Sequence, residues 1–302
     1  MLASALAAIG ECVPMEAKGG GAMYVSKVSM GTPPQVFGVV PDTGSATLVA
    51  PSTLCKTPEC AQHAKFNPNA SSSFSADSWM QSTLTYGSGP IVVSAAKDDI
   101  KLGEHSASGV DVELINNAAN LVGYARAPYD GIMGLGKRKH TTKSNANMTN
   151  QEPLLTSLKV NRFTVCLGSP KVNGTDTGGR LLLDSDLEPG VTKGFTPLAA
   201  KGQNMWAASL TSLTASNGSS DGEPLLAQSQ RIVAVPDSGT SLITFPRPLF
   251  VGMMNAIEEG CAAPNCLKNI TRQEKCSGQL FDQLPTIKLT LGGVDLSLSP
   301  HK

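Results

Sequence analysis

Two short stretches of this chain are near copies of each other: Val40-Pro41-Asp42-Thr43-Gly44-Ser45 and Val235-Pro236-Asp237-Ser238-Gly239-Thr240. Each follows an apolar run, and Pro51 and Pro246 each stand nine residues beyond the aspartate of their copy. An echo across 195 residues constrains the fold to two related halves that each deliver one carboxylate. A lone Asp-Ser/Thr-Gly reads only as a turn, but matching flanks, strand context and hydroxyl neighbours in both copies argue against that reading. Two carboxyls brought together can share a proton and act as acid and base on a water molecule.

A chain of 302 residues, 40% of them hydrophobic, exceeds what one core usually organises, so two lobes are expected. Aromatic residues are scarce, while 30 glycines and 20 prolines favour short strands joined by turns, a mainly β chain. Residues 1–22 read as an N-terminal segment, a signal or prosegment remnant, with Lys18-Gly19-Gly20-Gly21 as a flexible marker where the folded body begins. Residues 23–198 read as the first lobe and 199–302 as the second. Met23–Val28 and Gln35–Val40 alternate as strands around the turn at Gly31-Thr32-Pro33-Pro34, placing Asp42 at the end of a buried strand. Leu84–Gly89 enters a hairpin tip that Ile91–Val93 leaves. Asp130–Gly136 packs two apolar residues between glycines, a pattern that admits another backbone closely. Lys137–Asn150 reads as an exposed loop, Pro153–Leu158 as a short helix, and Arg162–Leu167 and Gly179–Leu183 as strands. In the second lobe, Ile232–Val235 feeds Asp237, Pro248–Glu259 has helical spacing, and Ile287–Leu298 reads as a hairpin about Gly292-Gly293.

Acidic and basic residues balance at 24 each, so no net field draws the chain to nucleic acid or an anionic membrane. No apolar run of bilayer length is present. Seven cysteines are many for a reduced cytosolic protein; the pairs Cys55/Cys60 and Cys261/Cys266 share one spacing suited to a small disulfide loop. Sequons at Asn69, Asn147, Asn173, Asn217 and Asn269 point the same way, to secretion or an endomembrane lumen. Cys12, Cys166 and Cys276 lack a local partner. Cys55, Cys60 and His63 resemble part of a zinc site, but without a fourth ligand the disulfide is preferred. No histidine lies near a Ser or Cys nucleophile signature, which argues against a triad hydrolase.

Taken in order, Gly31-Thr32-Pro33-Pro34-Gln35, Asp42-Thr43-Gly44-Ser45, Tyr86-Gly87-Ser88-Gly89, Asp130–Leu135 and Asp237-Ser238-Gly239-Thr240 resemble the pepsin-type aspartic endopeptidases, and the likeness runs from about Met23 to Lys302. The resemblance implies a bilobal β fold with a cleft between two related lobes, and a catalytic pair, Asp42 and Asp237. Carboxyls about 3 Å apart cannot both ionise easily, so such a pair holds one proton and titrates as a unit. It further implies that Gly44 and Gly239 offer N–H donors to the carboxylates. Thr43 and Ser238 would bond across the lobe interface, and Ser45 and Thr240 would bond the outer oxygens of their aspartates. Tyr86, with Gly87 and Ser88, would form a flap over an extended peptide or protein substrate. Neither metal nor cofactor is expected, and a monomer suffices because both motifs share one chain.

Several positions depart from the family pattern. Pro41 and Pro236 remove an N–H donor just before each aspartate. Val49 stands where relatives carry a Trp that bonds the flap Tyr. A counterpart to Ile132-Met133-Gly134 is expected after Asp237 and none is seen up to Lys302, so the second lobe reads as incomplete, with the partner of Cys276 beyond it. These departures keep open an alternative, a catalytically impaired peptide-binding protein or inhibitor on the same fold.

Overall fold

The computed structural model describes residues 11–76, 81–137, 140–143, 148–168, 178–185, 195–201, 205–216, 225, 232–260, 282 and 284–300. Contacts divide the chain into two compact units: 1–194 with 203–205 and 237–241, and 195–202 with 206–236 and 242–302. Among the described residues both are built mainly from strands, the fold class the sequence leads one to expect.

The first unit opens with β1 (Glu11–Lys18), inside the N-terminal segment expected to precede the folded body. Its alternation decides the matter. Val13 and Met15 are buried, while Cys12, Pro14 and Glu16 are exposed. The strand is zipped on one edge to Gly179–Leu183 and on the other to Met23–Val25. The Gly19–Gly21 run is the turn between two strands, with all three glycines at positive φ. It therefore lies inside the folded body.

Next come β2 (Met23–Met30) and β3 (Gln35–Asp42), an antiparallel pair whose expected bounds hold closely. They are followed by β4 (Leu48–Pro51), β5 (Gln81–Tyr86), β6 (Gly89–Leu102), β7 (His105–Asn117) and β8 (Gly131–Gly134). A hairpin of β9 (His140–Lys143) and β10 (Met148–Gln151) replaces the loop expected over 137–150. The short helix α1 (Leu154–Ser157), β11 (Phe163–Cys166) and β12 (Gly179–Leu183) complete the unit. Ten of these strands form one sheet in the order β11-β12-β1-β2-β3-β8-β4-β7-β6-β5. Because β2 also pairs with β6 at Ser29–Lys101 and Met30–Ile100, the sheet curls back on itself.

Within this sheet β3 and β8 run parallel, as do β4 and β7. The parallel pairs place the C-terminal end of β3, where Asp42 sits, between strands buried on both faces. One face packs a cluster that includes Val28, Met30, Phe37, Leu48, Leu114 and Met133. The opposite face packs Val49, Leu84, Ile91, Val93, Ile115 and Tyr124 around the Cys55–Cys60 disulfide, with Tyr86, Tyr129 and Ile132 against them. Beside it, His63 stacks on Tyr124 with ring centroids 4.1 Å apart. Asp130 accepts the N–H groups of Gly38 and Ala64 at 2.9 and 2.8 Å. Burial pushes its carboxyl up, but the His63 imidazole and these two N–H donors outweigh that and hold it below the usual value.

The second unit contains β13 (Ala208–Ser216), β14 (Ile232–Ala234), α2 (Arg247–Gly260), β15 (Thr286–Leu291) and β16 (Val294–Leu298), with its strands ordered β14-β13-β15-β16. The helix, spaced as expected, presents Leu249 and Met253 to Leu210 and Leu213, four residues apart on one face. Gly292 and Gly293, at φ 59° and 88°, turn β15 into β16. Cys261, Cys266 and Cys276, Trp79, and the sequons at Asn147, Asn173, Asn217 and Asn269 lie outside the described residues. Asn69 is exposed on a 3-10 turn. Among the described residues no helix is long and apolar enough to cross a membrane.

One residue of this framework is at odds with its surroundings. Glu113, in the middle of β7, is fully buried, and among the described residues neither carboxyl oxygen makes a hydrogen bond of good geometry. Burial, with a smaller push from the charge of Asp111, raises its pKa from 4.5 to about 7, partly offset by the Gln151 amide alongside. The folded chain thus holds this proton more tightly than the unfolded chain. The associated stability is full below the unfolded pKa and is lost as pH rises through about 7. The loss amounts to about 3 kcal/mol. Urea unfolding between pH 4 and 8 should therefore show a decline that Glu113→Gln flattens.

Candidate active site

The apolar run Val36–Val40 carries β3 into the sheet, and the loop beyond it turns sharply at Thr43-Gly44. Leu135 N–H donates to Asp42 O at 2.7 Å and Gly136 N–H to Ser45 O at 2.7 Å, so the loop is threaded along the end of β8. The close approach needs glycine. A Cβ on Gly134 would lie 2.4 Å from Ala46 C and Thr47 N, and one on Gly131 would lie 2.1 Å from Val49 O. The glycine-flanked Ile132-Met133 pair thus admits a neighbouring backbone, as its sequence suggests.

The second motif reaches the same place. Residues 237–241 pack as part of the first unit. Thr43 N–H donates to Ser238 Oγ at 3.1 Å, Ser238 N–H donates to Thr43 Oγ1 at 3.0 Å, and Ser238 Oγ–H donates to Pro41 O at 2.7 Å. Ser241 Oγ–H adds a bond to Ala22 O at 2.6 Å, a contact the sequence reading did not foresee. The two turns are internally alike. Gly44 N–H donates to Asp42 Oδ1 and Gly239 N–H to Asp237 Oδ1, both at 2.9 Å. Each carboxyl lies over the other turn: a Cβ on Gly44 would sit 2.8 Å from Asp237 Oδ2, and one on Gly239 would sit 2.4 Å from Asp42 Oδ1.

The hydroxyl neighbours differ between the copies. Ser45 Oγ–H donates to Asp42 Oδ2. Thr240 meets Asp237 through its backbone, its N–H 3.5 Å from Asp237 O. The carboxyls also differ in environment, because Asp42 is buried and Asp237 is half-buried. Burial lifts the Asp42 pKa from 3.8 to about 6; the Ser45 bond opposes this, while a hydrogen bond to Asp237 and repulsion from it add to the rise. This is the environment in which an aspartic acid keeps its proton well above its usual range.

Above the pair lies an open cavity of about 390 Å³ lined by Asp42, Gly44, Ser45, Asp237, the β5 stretch Thr83–Tyr86, Gly87 and Met205. Tyr86 stands half-buried at its wall; burial, then the negative charges of Asp42 and Glu113, push its phenol pKa upward, so the hydroxyl stays a proton donor. Ser88 is exposed, and its carbonyl accepts Val122 N–H at 2.8 Å, which ties the hairpin tip to the loop before β8. Among the described residues no group of three or more His, Cys, Asp and Glu is arranged to hold a metal ion.

Residues 23–302 match the profile of the family described as eukaryotic aspartyl protease. This chain belongs to that family. It is 31% identical over 284 residues to Pepsin A of Sus scrofa and 30% identical over 284 residues to Pepsin II-2/3 of Oryctolagus cuniculus. Pepsin II-1 of the latter species is 31% identical over 283 residues. In each case the match covers 92% of this chain and 67% of the relative.

For this member of the aspartyl protease family, two changes test the geometry without any appeal to turnover. Removing the Ser45 hydroxyl withdraws a donor that favours the charged form of Asp42. Ser45→Ala should therefore move the Asp42 midpoint above about 6 in a carboxyl-carbon NMR titration, and an unmoved midpoint would discount that bond. Gly134→Ala forces a methyl into the backbone at 46–47 and should cost about 1–3 kcal/mol or more in urea unfolding.

Proposed function

We propose that this chain is an aspartic endopeptidase, with Asp42 and Asp237 as its catalytic pair. The observation that carries the reading is the crossed arrangement of the two carboxyls, each lying against the other motif's glycine turn. Burial, with repulsion between the carboxyls, favours a proton on Asp42, so the resting pair holds one proton between its two acids. Asp237 takes a proton from a water held between the carboxyls, and that water attacks the scissile carbonyl. Asp42 donates to the developing oxyanion, and a proton is later passed to the departing amine. Thr43, Gly44, Ser45, Ser238 and Gly239 act by fixing the pair, since a misplacement of about 1 Å can cost on the order of 100-fold in rate.

The substrate is an extended stretch of peptide or protein with apolar side chains flanking the cut. Ala46, Leu84 and Met205 supply apolar lining beside the carboxyls, and the β5–β6 hairpin, with Tyr86, Gly87 and Ser88, offers main-chain groups to an extended strand. One chain suffices, because it carries both aspartates. The working conditions are acidic, where the Asp42 proton is retained. The Cys55–Cys60 bond favours an oxidising lumen or the cell exterior.

Asp42→Asn and Asp237→Asn should each lower cleavage of an unfolded protein at pH 4 by roughly 10²–10⁴-fold. The double variant should be little worse than either, because the carboxyls act as a unit. Retained turnover in either single variant would remove the pair as the cause. Tight binding of an uncleavable peptide by a chain that cuts nothing would instead favour the peptide-binding reading.

A further inference from the structure

Glu113 plays no part in the scheme above, yet it lies beside the wall that carries Tyr86. On β7, Val112 and Leu114 belong to the first cluster and Ile115 to the second, so alternation turns Glu113 toward the second cluster, against which Tyr86 and Tyr129 also pack. Its backbone registers with Val49 on β4 and with Ala95 on β6. Among the described residues no basic side chain pairs with it, and neither oxygen makes a hydrogen bond of good geometry. Gln151, equally buried, lies alongside with its amide oxygen and nitrogen also unpartnered. Four polar atoms so weakly partnered at such depth, with the Gln151 amide close enough to act on the Glu113 carboxyl but not in full hydrogen-bond geometry, are costly unless another state of the molecule uses them.

The other charged or titratable groups that bear on this carboxyl come from several elements. Asp111 on β7 pushes against it, although Lys97 holds Asp111 at 2.6 Å. The Tyr86 phenol on β5 is pushed up by burial first, then by the charges of Asp42 at the end of β3, of Glu113 and of Tyr129 before β8. The one proton donor among them that sits on a hairpin tip is the Tyr86 hydroxyl.

We propose that Glu113 is a positioning residue for the flap: its carboxyl accepts the Tyr86 O–H when the hairpin swings back against the wall. The proposal deepens the endopeptidase reading and rests on it. A neutral Glu113 can pair reciprocally with the Gln151 amide, its O–H donating to Oε1 and its carbonyl accepting from Nε2, which leaves Tyr86 free to reach a bound peptide. An ionised Glu113 cannot donate to Gln151 and accepts the phenol through a stronger, charge-assisted bond, which holds Tyr86 away from the peptide. The change is centred near pH 7, where Glu113 loses its proton. Flap release thus accompanies acidification and is separate from the titration of Asp42.

Two measurements test this. In infrared difference spectra between pH 8 and pH 5, the ionised carboxylate band that Glu113→Gln abolishes should shift in Tyr86→Phe; a band that Tyr86→Phe leaves unmoved overturns the proposal. The second compares peptide binding in two proteins that both carry Asp42→Asn, so that Asp42 no longer titrates. A hydroxyethylene-isostere peptide with apolar side chains should bind roughly fivefold more weakly at pH 8 than at pH 5 when Glu113 is present. The difference should vanish in Glu113→Gln, and an undiminished difference there overturns the proposal. The infrared measurement requires no turnover, so failure of the endopeptidase reading and failure of this inference are read separately.

Discussion

The reciprocal bonds between Thr43 and Ser238 are the constraint on which the rest of the site depends. Each residue's N–H is satisfied by the other's hydroxyl, and the Ser238 hydroxyl continues into the carbonyl of Pro41. The arrangement fixes two turns against each other without using the carboxyls, so the acids can be brought within repulsive range by groups that do not titrate. Pro41 fits this arrangement well. Lacking an N–H, it contributes only its carbonyl, and that carbonyl is the acceptor Ser238 uses.

The sheet exists to hold that turn still. Parallel pairing of β3 with β8 and of β4 with β7 buries the strand that ends at Asp42 on both faces, and the glycines of β8 let the Ala46–Val49 backbone pass at contact distance. The same burial sets the electrostatics. Asp42 is taken from water and keeps its proton, whereas Asp130, equally acidic and facing two backbone N–H groups and an imidazole, gives its proton up readily. One side-chain type thus serves two purposes through its surroundings.

Much of this was legible in the sequence because the chemistry is local. The strand before each aspartate, the glycine after it, the Ile132-Met133-Gly134 segment and the Gly292-Gly293 turn all declare themselves over a few residues. Other features did not. β1 was hidden because Val13 and Met15 alternate across a short stretch beside a glycine run, and only pairing with the distant β12 makes it a strand. The difference between Ser45 and Thr240 is invisible in motifs that match so well, since it depends on how each turn is packed. Glu113 was hidden as well: Val110-Asp111-Val112-Glu113-Leu114 alternates apolar and acidic residues, the pattern of a strand with one face in water, and its burial comes only from what packs on that face.

The placement of residues 237–241 with the first unit has a bearing on how the protein is made. A ribosome delivers Asp42 195 residues ahead of Asp237, so until the second motif emerges the nascent strand carries one acid and no partner for it. Chemistry of the kind proposed is thereby withheld until the second motif has emerged, and a product that stops short of it carries only one of the two acids.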